Sequence, residues 1–154
     1  MASPTTGDAT LQLGTLVGVH LYEASLVRRA RLSEETAAPN VSLDEPRAKI
    51  DFENSRFEIV AKVTVTGAFG PDDEMYVEAA CAVLGAWRSD SPIPTSGKLS
   101  ISEVYEVLYP HARAVIAQML ALTEVGFPPV PDFKDIVEHQ ESVRSKQVES
   151  STTK

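Results

Sequence analysis

An α+β fold is expected from this sequence: a four-stranded antiparallel sheet, then a long helix and a C-terminal helix. Residues 57–69 alternate apolar and polar with period two. The turn-forming "GPDDE" follows them and leads into a second apolar run, "MYVEAACAVLGAW". From Ser100 onward, apolar residues recur at helical spacing. Strands gathered first and helices last make an α+β rather than an alternating α/β arrangement.

Residues 1–10 are small and polar and are expected to be disordered. "LQLGTLVGVHLYEASLV" places Leu11, Leu13, Val17, Val19 and Leu21 on one face of a first strand. The phase slips near Glu23, where Ala24 and Leu26 become the apolar positions, and such a slip predicts a bulge. "RRARLSEETAAPNVSLDEP" reads as a charged connection and "KIDF" as a short strand. In "FEIVAKVTVTGAFG", Phe57, Ile59, Ala61, Val63, Val65 and Phe69 share a face, and "GPDDE" closes a hairpin. The returning strand carries Met75, Val77, Ala79, Cys81 and Val83 on one face. Its other face is also apolar from Ala80 through Ala82, Leu84 and Ala86. A strand apolar on both faces needs cover on both, from helices or a second subunit.

"SISE" has the form of a capping box, with Ser100 as cap and Glu103 three residues on. Val104, Leu108, Ala112, Val115, Ile116 and Met119 then line one helix face, and Gly126 is a plausible C-terminal cap. "FPPVP" cannot continue a helix. Asp132 can cap the next one, whose stripe is Phe133, Ile136, Val137 and Gln140. Residues 141–154 read as a polar tail.

Within "LYPHARA", Pro110 either starts the main helix or kinks it, and Tyr109 before it is pushed out of the α region. Arg113, a turn further on, can pair with a carboxylate or cap carbonyls. Read this way the motif is architectural, and Pro110→Ala is expected to cost about 1 kcal/mol.

Composition narrows the function. At 154 residues, 43% hydrophobic and 23% charged, the chain suits one soluble domain. No apolar run is long enough to span a bilayer, the N-terminus lacks the pattern of a secretory signal, and the single cysteine, Cys81, suits a cytoplasmic protein. A net charge of −8 disfavours nucleic-acid partners. Asp135 and His139 stand four apart on a helix without a third ligand, His111 has no ligand at metal spacing, and Cys81 has no placed base. Phosphate loops, dinucleotide fingerprints and nucleophile elbows are absent from the sequence. No catalytic residue, metal or cofactor is therefore expected.

Three segments in order, "FEIVAKVTVTGAFG", "MYVEAACAVLGAW" and "LYPHARAVIAQMLALTEVGFPPVPDFKDIV", make residues 11–140 similar to the SecB family of protein-export chaperones. The family's Leu-Phe/Tyr-Pro-Tyr-Ala-Arg start to its long helix is matched by Leu108 to Arg113. Its Gly-Phe/Tyr-Pro turn is matched by Gly126 to Pro128, and its Pro-x-Asn-Phe-Asp start to the last helix by Pro131 to Phe133. The family's Gln- and Gly-rich end of the fourth strand is replaced here by "AACAVLGAW", and the loop between the helices is shorter. Ala38-Pro39-Asn40 stands well downstream of the first strand.

The resemblance implies an ATP-independent holdase of unfolded or extended polypeptides, assembled as a dimer or tetramer. It implies a role in export, with a translocase motor as partner, or in toxin–antitoxin control, with an antitoxin as partner. Glu78 occupies the position of an acidic residue on the family's translocase-facing surface; a solvated strand face accounts for it equally well. Trp87, Ile93, Val125, Phe127 and Val130 are the candidates for client binding, each equally able to be subunit core. A single-partner adaptor is the alternative. A hotdog-type acyl-substrate enzyme is disfavoured because its long helix follows the first strand rather than the fourth.

Overall fold

The computed structural model describes residues 9–123 and 127–151, with side chains to 146. Residues 1–8, Val125 and Gly126 lie outside the described residues, and with them most of the N-terminal segment and the expected helix cap. The strands are β1 (Thr15–Ala30), β2 (Asn40–Leu43), β3 (Arg47–Asp51), β4 (Arg56–Phe69) and β5 (Met75–Arg88); the helices are α1 (Ile101–Ala121) and α2 (Phe133–Ser151). All pairings are antiparallel, in the order β1-β5-β4-β2, with β3 also on β4. Because β2 pairs with residues 63–66 and β3 with residues 56–60, the two lie end to end along one edge of β4. The sheet is thus four strands wide, as expected.

β2 is a correction. Asn40–Leu43 was read as part of a charged connection, yet it alternates exposed Asn40 and Ser42 with half-buried Val41 and Leu43 opposite Val65 and Val63. Four residues are too few to declare a period, and pairing with β4 decides the conformation.

β1 begins at Thr15, later than its apolar pattern suggests. Leu11 and Leu13 are buried, but in a segment bridged to the loop before α1, where Leu11 N–H donates to the Lys98 carbonyl at 2.8 Å. Gly14, at φ 80°, turns this segment into β1; a Cβ there would sit 2.3 Å from the Arg88 carbonyl oxygen. The register then shifts twice, between Leu16 and Gly18 and between Leu21 and Glu23. The second shift is the expected bulge. The first moves Val17 off the face it was expected to share with Val19 and Leu21.

α1 is capped as its sequence predicts: Ser100 Oγ accepts from Glu103 N–H at 3.3 Å. It then runs without interruption through Pro110, so Tyr109 stays helical. Proline removes one hydrogen bond, to the Glu106 carbonyl. Both Glu106 and Pro110 are exposed, so that carbonyl faces the open side of the helix. Burial of Tyr105, Leu108, Tyr109 and Ala112 against the sheet outweighs the local preference.

Both helices lie on one face of the sheet. α1 packs across β4 and β5 and barely reaches β1. The core is built from Phe57, Ile59, Val63 and Val65 of β4, Val77, Cys81 and Val83 of β5, and Tyr105, Leu108 and Ile116 of α1. The outer face of β5 has no second layer among the described residues, yet Ala80 and Ala82 are buried there. α2 continues through residues read as a polar tail, to Ser151.

Candidate functional site

The residues of "LYPHARA" converge on the turn that leads into α2. Tyr109 is fully buried, and its hydroxyl donates to the Pro131 carbonyl at 2.6 Å. Arg113 Nε donates to the Val130 carbonyl at 2.8 Å, and its guanidinium pairs with Asp132 at 2.8 Å. Arg113 therefore does both things its position allows. Phe133, the first residue of α2, packs between the rings of Tyr105 and Tyr109 at centroid distances of 6.3 and 5.8 Å. The Tyr105 hydroxyl reaches the Asp44 carbonyl and donates to that of Lys62, tying α1 to the β2 edge. Burial pushes both phenols up to about 12. A proline turn has almost no hydrogen bonding of its own, so these contacts fix its path and with it the position of α2.

That path leaves a cavity of about 440 Å³ between the turn, α2 and the β2 edge. Pro39, Asn40 and Val41 form one wall, Phe127 to Pro131 the second, and Asp135, Ile136, His139 and Gln140 of α2 the third, with Val65 of β4 among them. The lining is mostly apolar, with Asp135, His139 and Gln140 on the helix side and Asn40 on the strand side. A second, more open cavity lies beyond Pro39 and Pro128, which line both. It is bounded by Ala37, Ala38, Ala68, Phe69, Gly70 and Asp73. Val65, Gly67 and Phe69 are successive inward positions of β4, and Phe127 rests on the middle one. A Cβ at Gly67 would lie 3.1 Å from Phe127 Cζ and 3.2 Å from Pro39 Cα, so the ring and the loop both need a glycine there.

The expected client residues divide. Phe127 and Val130 line the first cavity, Val130 being at the same time part of the buried core. Trp87 is 3% exposed and folds back over Gly85 beneath Leu108, where a Cβ at Gly85 would meet both side chains, at 2.5 and 2.8 Å; it also borders a separate cavity of about 220 Å³ with Lys49, Arg56 and Glu58. Ile93 is also buried in the core. Val125 lies outside the described residues. Glu78 is exposed on the outer face, between Val27 and Thr66, in mixed surroundings: nearby Arg29 pairs with Glu35 and stacks on Tyr76. The walls supplied by Pro39, Val41 and Gly67 were not foreseen, although a glycine inside the strongest strand pattern was a signal of close approach.

Asp135 and His139 share the rim of the first cavity, and among the described residues no three His, Cys, Asp or Glu side chains are grouped to hold a metal ion. Burial pushes the Cys81 thiol up, away from the reactive thiolate. Among the described residues, no helix is long and apolar enough to cross a membrane.

No family model and no curated protein matches the sequence. Among solved structures, the chain is similar to the SecB-like chaperone Rv1957 of Mycobacterium tuberculosis, solved in complex with a ChAD peptide from the antitoxin HigA1 (Rv1956). The TM-score is 0.54 at 13% identity, over 77% of this chain and 88% of that one. The fold is SecB-like. At this identity the likeness covers architecture: an antiparallel sheet with a long helix and then a C-terminal helix on one face.

Proposed function

We propose that this protein is an ATP-independent holdase that binds unfolded or extended polypeptides in the cavity between β2, the Phe127–Pro131 turn and α2. The observation that carries the reading is the cavity itself: an open, mainly apolar cleft walled by an edge strand, a proline turn and a helix, in a SecB-like fold. A cleft of this kind accepts extended backbone and apolar side chains with little sequence choice. The structural neighbour is a chaperone holding an antitoxin peptide, which favours an antitoxin as the client over a general export role. A chaperone with one dedicated antitoxin would also account for the single-partner alternative.

The chain is proposed to act in the cytoplasm as a dimer or tetramer. Apolar side chains left open on β1 support the assembly. Mixed charge around Glu78 gives little support to a translocase motor as partner.

The test is suppression of aggregation of an unrelated unfolding reporter protein, in the absence of nucleotide. The parent protein should delay aggregation at near-stoichiometric ratio. Phe127→Ser should lose most of that activity while keeping its assembly state. A parent that delays aggregation of no unfolded chain would sink the proposal.

A further inference from the structure

Two cavities share Pro39 and Pro128, the first of them lined also by Phe127, and their spacing has consequences for what can occupy them. Val65, beside the first, and Phe69, beside the second, are four residues apart on one strand, about 14 Å at a rise of about 3.4 Å per residue. The position between them is Gly67, covered by the Phe127 ring. Pro39 and Pro128 line both cavities, so the two are seats of one groove with a partition in the middle.

We infer that the groove reads an extended segment with large apolar side chains at positions i and i+4 and a small residue at i+2, Phe127 being the residue that sets this pattern. The inference rests on the client-binding reading above and names the class of segment that the site takes. In an extended chain, side chains i, i+2 and i+4 point the same way and lie about 7 Å apart from one to the next. Residues i and i+4 then reach the two seats, and i+2 meets the Phe127 ring. That ring lies so close over Gly67 that a Cβ there would sit 3.1 Å from its Cζ, which leaves it little room to sink. Charge fixes the flanks. Asp135 lines one seat and Asp73 the other, and among the described residues neither seat is lined by Lys or Arg. Lysine or arginine beside the pentapeptide is therefore accepted, and aspartate or glutamate is rejected.

The probes are fluorescein-labelled, lysine-flanked peptides of serine and glycine carrying two leucines, read by fluorescence anisotropy with the full-length protein. Leucines at i and i+4 with glycine midway should bind at least about tenfold tighter than leucines at i and i+3, or than a peptide with a third leucine at i+2. Phe127→Ala should weaken every peptide and abolish the difference between the parent pattern and the peptide with a third leucine; a ring with a merely structural role would weaken all peptides alike and keep their ratio. Gly67→Ala, which pushes the ring outward, should sharpen the penalty. Binding that is indifferent to leucine spacing, or a Phe127→Ala variant that keeps the discrimination, overturns the inference and leaves the holdase reading in place. Failure to bind any peptide, together with no suppression of aggregation, overturns both.

Discussion

Tyr109 and Arg113 together hold the turn that shapes the groove, and each acts through a carbonyl that the prolines leave without a helical or strand partner. Tyr109→Phe keeps the ring against Phe133 but removes the donor to Pro131. The expected loss is about 1–2 kcal/mol, seen as a lower urea midpoint with an unchanged slope. The two buried phenols also set a pH dependence. Both are raised to about 12 by burial, against about 10 in an unfolded chain, so the unfolded chain sheds these protons first. Their contribution is fully present below about pH 10 and drains as pH climbs toward 12, by at most about 1.4 kcal/mol per pH unit for each phenol. Urea midpoints measured from pH 8 to pH 12 should hold and then fall, and the Tyr105→Phe/Tyr109→Phe variant should fall less steeply. An equal slope in that variant would mean that other groups govern the alkaline loss.

At the scale of elements, what was legible depended on how much each segment says about itself. β4 and β5 carry long patterns, and Ser100 carries a cap, so all three stand where the sequence puts them. β2 is four residues whose strand character comes from Val63 and Val65 across the ladder. The groove has walls from residues 37–41, 65–73 and 127–140, which only the folded chain brings together. Nothing local to Trp87 says that Gly85 will let its ring fold inward.

Pro110 shows the same limit and reverses an expectation. Local geometry makes it a start or a kink, whose loss should cost stability. The structure makes it a helix-interior residue on the exposed face, opposite a carbonyl without its helical donor. Alanine would restore that donor at a site already helical, so Pro110→Ala should now gain about 1 kcal/mol and raise the melting temperature. A lowered melting temperature would mean that the proline sets the angle of Tyr109 after all.

The whole molecule has an unfinished side. β1 is a sixteen-residue edge strand whose outer hydrogen-bonding groups have no neighbouring strand among the described residues. Its inward face, which α1 barely reaches, leaves Leu16, Leu21 and Leu26 at 38, 60 and 37% exposure. A long apolar edge of this kind is a template for pairing unless something covers it. Its bulges near Val17 and Tyr22 interrupt the edge, and its charged residues, Glu23, Arg28 and Arg29, still leave these leucines open. The sequence anticipated the need for cover from β5. In the structure, the need is plainest one strand further out, because α1 is used up on β4 and β5. A second copy presenting the same face by two-fold symmetry would bury these leucines against their own equivalents. Light scattering at micromolar concentration should therefore give a dimer or tetramer. Leu21→Lys combined with Leu26→Lys should shift it toward monomer with the circular dichroism spectrum retained, since neither side chain belongs to the buried core of one chain. Retention of the parent mass by that double variant would place the contact elsewhere, with the exposed Ile101 and Leu122 at the two ends of α1 as the next surface to charge.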